Sequence, residues 1–74
     1  MTEQTYNVTL NNENTVSVTV ITENGKKRSI CDAWGYSKEY AFDTDAEMIN
    51  EHSRQCGVTV LSIESITEIY RKYS

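Results

Sequence analysis

Chemistry near neutral pH most often runs through imidazole, and the chain has a single histidine, His52. Glu51 adjoins it and Cys56 follows one helical turn later. A hydrolytic site would also need a nucleophile for the histidine to activate and donors for a developing oxyanion. Neither a Gly-x-Ser-x-Gly elbow nor a glycine-rich phosphate loop occurs, so His52 reads as a structural histidine and no catalytic residue is expected. On a helix His52 and Cys56 would share a face as two zinc ligands do, but a closed zinc site takes four ligands and Cys31 is the only further thiol. Asp43-Thr44-Asp45-Ala46-Glu47 opens like a calcium loop, with carboxylates at alternate positions. Met48 then stands where the sharp turn needs glycine, and Arg54 stands where an acidic residue would close the loop. No metal and no cofactor are expected.

The carboxylates have a second possible use. Glu39, Asp43, Asp45, Glu47 and Glu51 occur with no Lys or Arg between Lys38 and Arg54, and positions 43, 47 and 51 are spaced to line one side of a helix. Like charges four apart cost an isolated helix roughly 0.2–0.5 kcal/mol per pair. The plain reading is a solvated face; the sharper one is an electrostatic contact for a basic protein surface. Trp34 and Tyr36 flank Gly35 in a predicted loop, where exposed aromatics would anchor an interface and buried ones would serve the core. These seven residues form the candidate partner-binding set.

The elements that must position them follow from periodicity. Tyr6, Val8 and Leu10 alternate with polar residues and predict a first strand, which ends at Asn11-Asn12-Glu13-Asn14. Val16, Val18 and Val20 predict a second strand. Asn24-Gly25 tolerates positive φ at both central positions of a type I′ turn, so a tight hairpin is expected. Its register pairs Glu23 with Lys26, Thr22 with Lys27, Val20 with Ser29, Val18 with Cys31 and Val16 with Ala33. Ser29, Cys31 and Ala33 then share the face of the valines, while Ile21 and Ile30 lie diagonally on the other face. Lys38–Phe42 reads as a short strand or an early helical turn.

Thr44-Asp45-Ala46-Glu47 fits a capping box, and Gly57 sits where a glycine commonly ends a helix. Ala46, Ile49, Ser53 and Cys56 recur at helical spacing between them, with Met48 and His52 as further cover. Val58–Ile63 reads as a buried central strand. Beyond it, a terminal helix from the Ser65-Ile66-Thr67-Glu68 box and a continued strand to Tyr70 fit equally well. The order β-β-β-(β)-α-β predicts an α+β fold, a small antiparallel sheet with one helix on one face, in a single domain over 1–74.

Composition narrows the function classes. A chain of 74 residues buries only about 60% of the surface its unfolded form exposes. Little core is left over to enclose a reaction chamber. Eleven carboxylates against seven Lys and Arg give a formal net charge of -4, which opposes direct binding to a phosphate backbone. Lys26-Lys27-Arg28 suits protection of a hairpin edge better than a nucleic-acid footprint. No apolar run approaches the roughly 20 residues that span a bilayer. The two cysteines form no Cys-x-x-Cys pair and no secretory leader opens the chain, so reduced, buried thiols in the cytoplasm are expected.

The plan as a whole is a polar hairpin, then Tyr40-Ala41-Phe42-Asp43-Thr44-Asp45 leading into an acidic helix, then Val58-Thr59-Val60-Leu61-Ser62-Ile63-Glu64. In size, acidity and layout it resembles small accessory proteins of phages and mobile elements, including anti-CRISPR proteins and other inhibitors of host defence. The resemblance implies a non-enzymatic inhibitor in the host cytoplasm that occludes a basic or nucleic-acid-binding surface of a defence complex. It carries over no functional residues. The alternative expectation is an assembly module that forms a homodimer through a sheet face or edge, using Ile21, Ile30 and Trp34.

Overall fold

Alternating apolar and polar side chains extend the backbone into β1 (Thr2–Leu10) and β2 (Thr15–Glu23), which pair antiparallel across the Asn11–Asn14 loop. A computed structural model describes residues 1–35 and 37–66. In the loop, the Asn12 side chain accepts from the Asn14 amide at 3.1 Å, a local bond of the kind that makes asparagine a turn residue. Asn24 (φ 54°) and Gly25 (φ 77°) turn β2 into β3 (Lys26–Ile30), both left-handed as a type I′ turn requires. The observed pairs Glu23–Lys26, Thr22–Lys27 and Val20–Ser29 are those the turn predicts.

Beyond Ile30 the expectation fails. β3 stops there, so Val18–Cys31 and Val16–Ala33 never pair. Cys31 instead opens a turn in which its carbonyl accepts from the amides of Trp34 and Gly35, each at 3.1 Å. Glycine is suited to this turn because Gly35 has φ 74°, a conformation that other L residues rarely adopt. Residues 37–42 run without helix or full strand. One bridge, Lys27 amide to Tyr40 carbonyl at 2.7 Å and Tyr40 amide to Lys27 carbonyl at 2.9 Å, lays them along the outer edge of β3.

Helix α1 (Asp45–Gln55) begins where the capping box places it. The Thr44 hydroxyl accepts from the Glu47 amide and donates to the Glu47 carboxylate, both at 3.2 Å. It ends at Gly57 (φ 77°). There the Gly57 amide reaches Arg54 O and the Val58 amide reaches Ser53 O, each at 3.1 Å, the paired bonds of a Schellman motif. β4 (Val60–Ser65) then returns antiparallel to β1, giving a four-stranded sheet in the order β3-β2-β1-β4. β4 is therefore an edge strand and not the buried central one expected, and β1 and β2 hold the middle. The pairing skips Leu61 where Thr9–Ser62 gives way to Leu10–Val60, leaving Leu61 exposed at a bulge.

The fold is α+β, an antiparallel sheet with one helix packed on one face, as expected. Val8, Leu10, Val18 and Val20 from the sheet meet Met48 and Ile49 from α1, with Cys31 and Trp34 closing one end. The buried stripe of the helix is Met48, Ile49, His52 and Ser53. Ile49 and Ser53 of the predicted stripe are among them, as are Met48 and His52, expected as further cover, whereas Ala46 and Cys56 face solvent. Cys31 is buried as expected; Cys56 is not. The two readings of the segment beyond Ser65 fall on residues 67–74, outside the described residues.

Candidate functional site

Two polar clusters tie α1 to the sheet, and between them they decide which side chains remain available. The first lies at the start of the helix. The hairpin register puts Lys27 on the same face of β3 as Ser29, so its ammonium lies over the sheet and not out in water. Its Nζ donates to Asp45 Oδ1 at 2.8 Å and to Thr22 Oγ1 at 2.9 Å, with the Lys27 and Asp45 side chains only 13% and 18% exposed. The Tyr6 hydroxyl donates to the other oxygen of Asp45. Asp45 thus joins β1, β2 and β3 to the first turn of α1, where a carboxylate also complements the helix dipole.

The second cluster lies two residues further along β3. His52, 1% exposed, meets the Ser29 hydroxyl through Nδ1 at 2.5 Å. The Trp34 ring stands edge-on to the imidazole, with centroids 5.2 Å apart. Nε2 is buried with no hydrogen-bond partner. Burial pushes the His52 pKa below the ordinary histidine value; the backbone of Gly35 and Trp34 opposes that shift without cancelling it. Cys56 holds the same turn from the helix end, its thiol donating to Trp34 O at 3.1 Å.

The seven candidate residues are therefore divided. Asp45 faces inward, paired with Lys27. Trp34 is in the core at 9% exposure, where it covers His52 and does not project as an anchor. Tyr36 lies outside the described residues. Glu39, Asp43 and Glu47 are exposed and belong to neither of the two ion pairs among the described residues. Glu51 is held by Arg54, whose guanidinium lowers the carboxyl pKa and is raised in turn. Asp43 precedes the Thr44 cap, so it does not continue a helical line with Glu47 and Glu51.

Among the described residues, nucleophile-and-base geometry is present only as Ser29 against His52, and both side chains are sealed. No pocket opens among the described residues, and no three His, Cys, Asp or Glu side chains among them are grouped to hold a metal ion. The sheet face opposite α1 is uncovered by any described element. It carries Thr5, Asn7, Thr9, Ser17 and Thr19 on β1 and β2, and the Thr5 and Thr19 hydroxyls bond across at 3.1 Å. Ile21 and Ile30 lie diagonally at one side of it, with Ile30 43% exposed.

Sequence reasoning missed Tyr6 and Lys27 as groups that bond the helix, and it put Ser29 on the helix-facing side without its bond to His52. A signal existed: pairing Thr22 with Lys27 puts a cation on the face of the valines, and such a cation calls for a carboxylate from whatever covers it. Comparison with protein-family models, with curated proteins and with solved structures finds no match. No helix among the described residues is long and apolar enough to cross a membrane.

Proposed function

We propose that this chain is a non-enzymatic protein-binding module that acts through its exterior. In this reading the outer side of α1 and the segment leading into it meet a basic surface on a larger partner. The sealing of His52 carries the reading: the one imidazole is committed to Ser29 and Trp34 inside the core, so reactive chemistry has no accessible base of that kind. What remains outside is charge. Glu39, Asp43 and Glu47 stand exposed beside the Glu51–Arg54 pair, on a chain of net charge -4. A patch in which one sign predominates speeds encounter with an opposite one and disfavours nucleic acid directly. A protein surface that normally holds phosphates is the complementary target. The resemblance to phage accessory inhibitors in size, acidity and layout favours a host nucleic-acid-handling or defence complex as that target.

The test is capture of a partner by the immobilised chain in low and high salt, with the Asp43→Lys, Glu47→Lys double variant alongside. Screening shortens the reach of charge from about 10 Å at 0.1 M to about 3 Å at 1 M, so a complex formed this way should weaken steeply with salt and with reversal. A complex indifferent to both would remove the acidic-side reading.

A second reading is favoured by the sheet face opposite α1, which no described element covers and where Ile30 and Ile21 sit together. In it, two copies meet through that face. Sedimentation over a concentration series separates the readings: a species that stays monomeric at tens of micromolar rules out the homodimer.

A further inference from the structure

We propose that His52 is an acid-sensitive latch, which holds the C-terminal half of α1 and the Trp34 turn against the sheet when neutral and releases them when it takes up a proton. The geometry is that of a group built to remain uncharged. The ring is 1% exposed, one nitrogen is committed to Ser29 at 2.5 Å, and the other is buried without a hydrogen bond. An imidazolium there would bring a charge into the core, which the backbone of Gly35 and Trp34 offsets only in part.

Among the described residues no carboxylate stands ready to neutralise it. From β3, the groups on its side are the Ser29 hydroxyl and, past the strand end, the Cys31 thiol; Arg28 alternates to the opposite face. β2 presents Val18, Val20 and Thr22 to that side. From the turn come the Trp34 ring and the backbone of Gly35, while Asp32, Lys38 and Glu39 are exposed. On α1 itself the neighbours are Met48, Ser53 and Cys56, and Glu51 is turned to Arg54. Lys27 and Asp45 lie at the other end of the helix and satisfy each other.

The sign follows. The unfolded chain takes up a proton near the ordinary histidine value of about 6.5, and the folded chain resists it. Stability from this residue is complete above that pH and is lost as the pH falls below it. Asp and Glu titrate near 4, so the window from about pH 6.5 to 5 isolates the imidazole.

One histidine and one tryptophan make the test clean. The imidazole proton signals are followed by NMR from pH 8 to 4.5, with Trp34 emission and the melting temperature measured on the same samples. The expected result is a histidine that titrates below 6.5, Trp34 emission that changes in step with it, and a Tm that falls by roughly 5 °C between pH 7 and 5, a scale on which a domain of this size registers about a tenfold change in its folding equilibrium. His52→Gln, which cannot take up a proton, should flatten the Tm in that window. An imidazole that titrates at or above 6.5 in the wild-type chain, with Tm level from pH 7 to 5, would overturn the proposal even if the variant does not fold.

Discussion

The two ends of α1 are fastened to neighbouring same-face residues of β3 by opposite kinds of chemistry. At the N-terminal end Lys27 meets Asp45 in an ion pair that retains contact with water and has two supporting hydroxyls, Thr22 and Tyr6. At the C-terminal end Ser29 meets His52 in a sealed, uncharged contact with one nitrogen unsatisfied. Exposure explains the difference. A half-open site can hold full charges because the surrounding water and several donors share them, whereas a sealed one is stable only while its titratable group stays neutral. One end is thus tolerant of its surroundings and the other is conditional on them, and both are internal. In the proposed reading, partner binding falls to the outer side of the same helix.

The comparison can be broken most severely between the two ends. Met48 and Ile49 are fully buried midway along the helix and support both attachments. Ile49→Ala should lower stability by about 2–5 kcal/mol in a denaturant titration, loosening both ends together. Asp45→Ala acts on one end only. It should cost about 1–3 kcal/mol by taking the carboxylate from Lys27 and Tyr6. Trp34 emission in the folded state should be unchanged, and Asp45→Asn should recover part of the loss by keeping the Tyr6 bond. Thr44→Ala should remove about 1 kcal/mol through the lost cap, again without moving the Trp34 signal. Arg54→Ala, on the solvent side, should leave the denaturation midpoint where it was, because an exposed pair of this kind adds little.

Local rules were the legible part of this fold. Asn24-Gly25 set a register that holds as far as Ile30, and the Thr44 box and Gly57 bracket the helix, because each of these signals lies within a few adjacent residues. The flanks of the helix's inward face were not legible in the same way. Ala46 and Cys56 looked apolar enough to face the sheet beside Met48, Ile49, His52 and Ser53, yet Asp45 turns inward instead, since Lys27 and Tyr6 satisfy it from strands far away in sequence. An amphipathic pattern scores polarity and cannot see a partner on another element. The same blindness placed Trp34 and Asp45 together at a surface. Val58–Ile63 looked central because its β-branched residues suit a buried strand, but among the described strands β4 pairs with β1 alone and lies at the edge of the sheet.

Shielding of the reactive side chains is the claim on which the functional reading rests, and chemical modification tests it directly. The folded chain at pH 7.5 would be treated with diethyl pyrocarbonate and, separately, with iodoacetamide, then mapped by peptide mass. His52 should resist acylation and Cys31 should resist alkylation, both reacting only after denaturation, while exposed Cys56 should be alkylated in the native state. Acylation of His52 in the folded protein as fast as in urea would mean that the imidazole is open to solvent, and the case for a purely external function would fall with it.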